Sequence, residues 1–144
     1  MSLIKTMNAQ EKEVYMYVAE DATYATGNQA IFKASDFIGA TSAGATSTIF
    51  RFYSQDNSRL GIGGDPTVAR FELTHTTDAQ IEIMKAVATA MANPHGGFIV
   101  IQDDLGTAFS SDGSTLGTAI TQLNVAPIAS TGTAVSISAV AINT

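Results

Sequence analysis

The sequence predicts an α+β fold: a mostly antiparallel β-sheet or partial barrel, with one amphipathic helix at about 78–92 packed on it. Three observations carry this. Most apolar segments are short, alternate with a period of two and end in turn-forming residues, as half-buried strands do. One segment alone shifts to a period of 3.6. No stretch has the length and composition of an inter-domain linker, so the 144 residues read as a single β-rich domain over 1–144.

The elements follow in chain order. Leu3 to Met7 is short and apolar. Glu13 to Ala19 sets Val14, Met16 and Val18 on one face and Tyr15 and Tyr17 on the other, which is the strand signature. Gln29 to Lys33 reads as the next strand. Asp36 to Gly39 is a brief apolar insert before a loop at Thr41 to Gly44. Thr46 to Ser54 is the strongest strand of the first half, because Thr48, Ile49, Phe50, Phe52 and Tyr53 suit a pleated surface. The turn formers Gln55 to Ser58 close it, and Gly61 to Pro66 leads into a strand at Val68 to Thr74.

In the helical segment, Thr77 followed by Gln80 has capping-box spacing. Ile81, Met84, Ala88 and Met91 fall on one face, with Val87 beside them. Ala86, Ala88, Ala90 and Ala92 are strong helix formers. Pro94 restricts Asn93 and ends the helix, and Gly96–Gly97 lets the chain turn back. Phe98 to Ile101, apolar on both faces, reads as a buried strand under the helix. Asp103 to Ser114 is a polar loop. Gly117 to Val125 and Thr133 to Asn143 read as strands joined by Pro127 to Gly132. In the last of these, Val135, Ile137, Ala139 and Ala141 alternate with Ser136, Ser138, Val140 and Ile142, so its side chains are small.

Composition narrows the function. Only 14% of the residues are charged, against about 25% in an average protein. Small neutral side chains lose little entropy when another surface covers them, which favours contact between copies and predicts a homo-oligomer. The net charge is −6, and the seven basic residues are scattered. Nucleic acid and anionic membranes are therefore not expected partners, since phosphate binding rests on clustered Lys and Arg. No segment approaches the ~20 apolar residues of a membrane helix, and the opening residues lack the pattern of a signal peptide. The expectation is a soluble chain. With no Cys, thiolate chemistry and Cys-ligated metals are excluded.

Several clusters invite a chemical reading, and each has a plainer one. Gly61 to Asp65 looks like a phosphate-cradling loop, yet Pro66 and a strand follow where a helix N-terminus would be needed. Asp56, Asn57, Ser58 and Asp65 supply oxygens without the spacing of a calcium loop. Asp103 and Asp104 could hold a hard cation, but adjacent residues on an extended chain point apart, and a solvated turn explains them. His75 and His95 flank a helix spanning roughly 22 Å, too far apart to share a metal, and neither has zinc-site spacing. His95 suits a helix C-terminus. Many serines are present, but no nucleophile elbow marks one. Tyr15, Tyr17, Phe50, Phe52 and Tyr53 could form a platform for bases or sugars, although strand aromatics usually pack in cores. No catalytic, cofactor-binding or metal-binding residue is assigned, and no cofactor is expected.

The Met1-Ser-Leu-Ile-Lys5 opening, the Thr/Ala/Gly-rich strands and the helix running into Asn93–Pro94–His95–Gly96–Gly97–Phe98 and on to Ile101 resemble small proteins of marine tailed phages. The resemblance implies a virion component or another small phage product, found in the virion or the host cytoplasm, and carries over no functional residue. Three functions stand in order: a structural, self-assembling protein; a small-ligand or sugar binding module using the aromatics and the loop Gln55 to Pro66; and an enzyme gathering Asp103, Asp104 and Asp112.

Overall fold

The computed structural model of the chain describes residues 12–20, 29–53, 68–106 and 119–143. Seven strands form two sheets, with one α-helix among the described residues. The strands are β1 (Val14–Ala19), β2 (Gln29–Lys33), β3 (Phe37–Gly44), β4 (Ser47–Tyr53), β5 (Val68–His75), β6 (Gly97–Asp103) and β7 (Ile137–Asn143); the helix α1 spans Gln80–Met91. The first sheet has the order β2-β1-β6 and the second β3-β4-β5-β7. All pairings are antiparallel except β1 with β6, which run parallel. The class is α+β and mostly antiparallel, as the sequence predicts, but the strands divide into two sheets and do not close into a barrel.

The sheets pack through their apolar faces. Val14, Met16 and Val18 are buried on β1, as their alternation requires. On β4 and β5 the register sets Phe50 opposite Phe71 and Thr48 opposite Leu73, so these side chains share the inner face. Phe32 of the first sheet meets Phe52 and Phe71 of the second, with ring centroids 4.9 and 5.2 Å apart. That aromatic contact bridges the two layers, and Ile83, Ala86 and Val87 of the helix enter the same core.

Four local expectations change. Thr41 to Gly44 is strand, not loop, because β3 continues to Gly44 beside β4, with bulges at both ends. The helix begins at Gln80, and the Thr77–Gln80 capping box does not form. Asp78 adopts a positive φ of 63°, its N–H donates to the Ala45 carbonyl, and the Gln80 side chain donates to the Gly44 carbonyl at 2.9 Å. Tertiary bonds thus take the groups a cap would have used. The buried face of the helix is also rotated by about a third of a turn from the expected one: Ile83, Ala86 and Val87 are buried, while Ile81 is 63% exposed. Met84 and Met91, on the expected face, pack only at the edge of the core.

The fourth change concerns residues 119–125, which contain a single ladder bridge, Asp103 to Ile120. Beyond it, one further backbone bond, from the Gln122 N–H to the Val100 carbonyl at 2.8 Å, and two side-chain bonds hold the segment along β6. Gln122 Oε1 accepts from the Val100 N–H at 2.7 Å, and the Thr121 hydroxyl donates to the Ile101 carbonyl at 2.7 Å. β7 likewise starts later than expected, at Ile137. A register irregularity at Thr74/His75 moves its core-facing positions from Ile137 to Val140 and Ile142. The expected strand at Leu3 to Met7 lies outside the described residues.

Candidate functional site

The parallel pair β1 and β6 ends with two carboxylates side by side. Glu20 directly follows β1 and Asp104 directly follows β6, and both line an open cleft of about 490 Å³ beside β7, with Ala119 and Ser138 to Ala141. The carboxyl ends of parallel strands are where α/β sheets commonly hold ligands. Here the acids turn towards the protein. Asp104 Oδ2 accepts the Val140 backbone N–H at 3.0 Å, and its Oδ1 accepts the Gln102 side-chain amide at 2.7 Å. Glu20 Oε1 accepts the Ile142 backbone N–H.

Val140 and Ile142 lie on β7, the last strand of its sheet, which would otherwise present unpaired N–H groups along its outer edge. The two carboxylates occupy the place of a further strand and tie one sheet to the other. Asp103, fully buried, uses Oδ1 to accept the N–H groups of Leu105 and Gly106, both at 3.0 Å. The expected turn is therefore present but not solvated: burial and backbone amides replace water around it. Asp112, the third acid of the enzyme reading, lies outside the described residues. One atom in this region is unsatisfied: Gln102 Oε1 is buried without a hydrogen-bond partner.

Neither histidine joins the carboxylates. His75 ends β5, is buried, and has Nδ1 2.8 Å from the Thr76 carbonyl and Nε2 2.9 Å from the Thr48 hydroxyl. A carbonyl only accepts, so Nδ1 carries a proton, and the ring fastens the end of β5 to β4. His95 is exposed in the turn after the helix, its backbone N–H donating to Asn93 Oδ1 at 3.0 Å. Among the described residues no three His, Asp or Glu side chains gather closely enough to hold a metal ion. The glycine-rich segment Gly61 to Asp65 and the oxygen-rich Asp56 to Ser58 lie outside the described residues.

The aromatic group read as a platform separates into three. Phe50 and Phe52 are core residues, stacked near Phe71. Tyr15 and Tyr17 stand on the outward face of the first sheet. There the register sets Tyr15 opposite Phe98 and Tyr17 opposite Ile31, and the Tyr17 and Phe98 rings lie 5.7 Å apart. Tyr15 is 40% exposed, Ile31 56% and Phe98 52%. The sequence signalled the tyrosines through strict alternation, but it made Phe98 part of a fully buried strand. β6 is buried on both faces only from Val100 to Asp103, and Phe98, near its start, lies outside that stretch. Tyr53, exposed, lies on the other sheet opposite Val68.

No protein-family model, curated protein or solved structure matches this chain. Among the described residues no helix is long and apolar enough to cross a membrane.

Proposed function

We propose that this chain is a structural, self-assembling protein whose copies meet through the outward face of the β2-β1-β6 sheet. The observation that carries the reading is the cluster Tyr15, Tyr17, Ile31 and Phe98, which presents a contiguous aromatic and aliphatic surface to solvent. Isolated exposed apolar residues are ordinary, but grouped ones mark contact surfaces, and Tyr and Phe are enriched at the centres of protein interfaces. The low charge of the chain works in the same direction, since little needs to be desolvated when copies meet. The resemblance to small proteins of marine tailed phages supports a virion or virion-associated setting.

Asp103 and Asp104, two acids of the enzyme reading, are engaged with the protein's own amides, which weighs against the carboxylate reading. Sedimentation equilibrium at micromolar to millimolar concentration tests the proposal. The wild-type chain is expected to exceed the mass of one copy, and Phe98→Ser with Ile31→Ser is expected to return it to a single copy without loss of fold. A wild-type mass of one copy throughout that range overturns the reading.

A further inference from the structure

The outward face of the β3-β4-β5-β7 sheet carries a different kind of group. In the register of that sheet Gly39, Arg51, Arg70 and Asn143 form one row across four strands. Phe50, Phe52 and Phe71 point into the core, so their neighbours Arg51 and Arg70 point out. Directly opposed residues of an antiparallel pair have Cβ atoms about 5 Å apart, and like charges so placed repel. This chain has only seven basic residues against thirteen acidic ones, yet it opposes two arginines. Both are half-buried, so their stems are held against the sheet. Among the described residues no carboxylate lies within ion-pair distance of either. Glu72 shares the face one row along, opposite Ile49, and pairs with neither arginine.

We infer that the row Arg51–Arg70–Asn143 is an oxyanion-binding site, fitted to a carboxylate or phosphate group. The Arg51 guanidinium is oriented by the Thr41 hydroxyl, which accepts from Nη1 at 2.6 Å. Arg70, beside it, has its fork of donors free for a ligand, and two guanidinium groups can hold one anion in bidentate fashion. Asn143 adds an amide at the far end of the row. Gly39, with nothing within 4 Å of where a Cβ would stand, leaves the near end open. An anion seated there removes the repulsion between the two arginines, so binding and sheet stability reinforce each other. The site lies on the sheet opposite the apolar face and does not depend on the assembly proposed above.

The ligand has two sources with the same chemistry: a free oxyanion, or a carboxylate on another copy of this acidic chain. The test is a two-dimensional NMR titration of the wild-type chain with inorganic phosphate and, separately, acetate at constant ionic strength. Sedimentation equilibrium is run in parallel on wild type, Arg70→Gln, Arg51→Gln and Asn143→Ala. Saturable shifts confined to β4, β5 and β7, weakened about tenfold by either arginine substitution, support a site for free oxyanions. A fall in oligomer mass in Arg70→Gln and Arg51→Gln, with circular dichroism unchanged, assigns the ligand to a carboxylate of a second copy. The inference is overturned if shifts stay linear up to tens of millimolar, or survive both arginine substitutions, while the mass is also unaltered. Asn143→Ala is expected to weaken the shifts less than either arginine substitution, and unchanged circular dichroism in every variant guards against a result caused by misfolding.

Discussion

The Asp104 carboxylate accepts the backbone N–H of Val140 at 3.0 Å, so a side chain at the end of one sheet does the work of a strand at the edge of the other. Removing it leaves both that N–H and the Gln102 amide without their acceptor. Asp104→Ala is therefore expected to destabilise the fold by about 2–3 kcal/mol, the range for charge-assisted bonds lost at partly buried donors. Asp104→Asn, which keeps an acceptor, should recover part of the loss. Urea unfolding measures the difference. Hydrogen exchange at Val140 should speed up in the alanine variant before exchange at Leu73, its partner on β5, does.

Glu13 supplies a pH dependence. The Ser35 backbone N–H donates to its Oε1 at 3.0 Å and holds the carboxyl below its ordinary value; the Ser35 hydroxyl and the Lys33 charge act in the same direction, against partial desolvation. A carboxyl whose value is lower in the folded chain than in the unfolded one stabilises the fold above the unfolded value. That contribution is lost as pH falls through the folded value. Glu13→Gln should thus cost a little at pH 7, under about 1 kcal/mol for so exposed a group. It should cost still less once the wild-type carboxyl is protonated. Chemical denaturation of both chains at pH 7 and near pH 3 reads the closing gap.

The rotation of the helix gives a paired test. Ile83 is fully buried and Ile81 mostly exposed, two residues apart on one helix. Ile83→Ala should cost about 2–5 kcal/mol, as truncations in packed cores do. Ile81→Ala should change stability by no more than about 0.5 kcal/mol, because alanine's helix propensity offsets the little packing lost. Thermal melts of the two variants suffice. A larger loss for Ile81→Ala than for Ile83→Ala would mean that the helix presents the other face.

Gly96 and Gly132 separate backbone strain from crowding. Both have positive φ, 65° and 71°. A Cβ on Gly96 would stand 2.6 Å from the Glu13 carbonyl oxygen, whereas nothing lies within 4 Å of one on Gly132. Gly132→Ala should cost about 1–2 kcal/mol for left-handed backbone alone. Gly96→Ala should cost clearly more, since it also displaces the chain that accepts the Gly97 N–H. Melting temperatures in that order confirm the distinction.

What the sequence made legible followed from local pattern. Val14, Met16 and Val18 alternate, and they are buried together. The alanine-rich run before Pro94 is a helix. The rest depended on partners distant in the chain. β3 could not be told from a loop because Gly39, Ala40, Ser42 and Gly44 have weak strand preference, and β4 alone makes them a strand. Asp104 looked solvated because its acceptor role is to a residue 36 positions later. Ile81 fitted the helical period as well as Ile83, and only the docked sheets decide between them. Arg51 and Arg70 look scattered along the chain and become neighbours only through the β4–β5 register.

Glu20 and Ile142 are 122 residues apart in the chain, and β1 gains its parallel neighbour only when β6 has been made. Until then the β1–β2 hairpin has a bare flank while most of the polypeptide is still to come. Long-range closure of this kind slows folding and prolongs exposure of apolar strands. A chain emerging from the ribosome would hold its first hairpin unfinished until β6 has followed it. Its yield in the cell should therefore depend on how fast the second half follows the first.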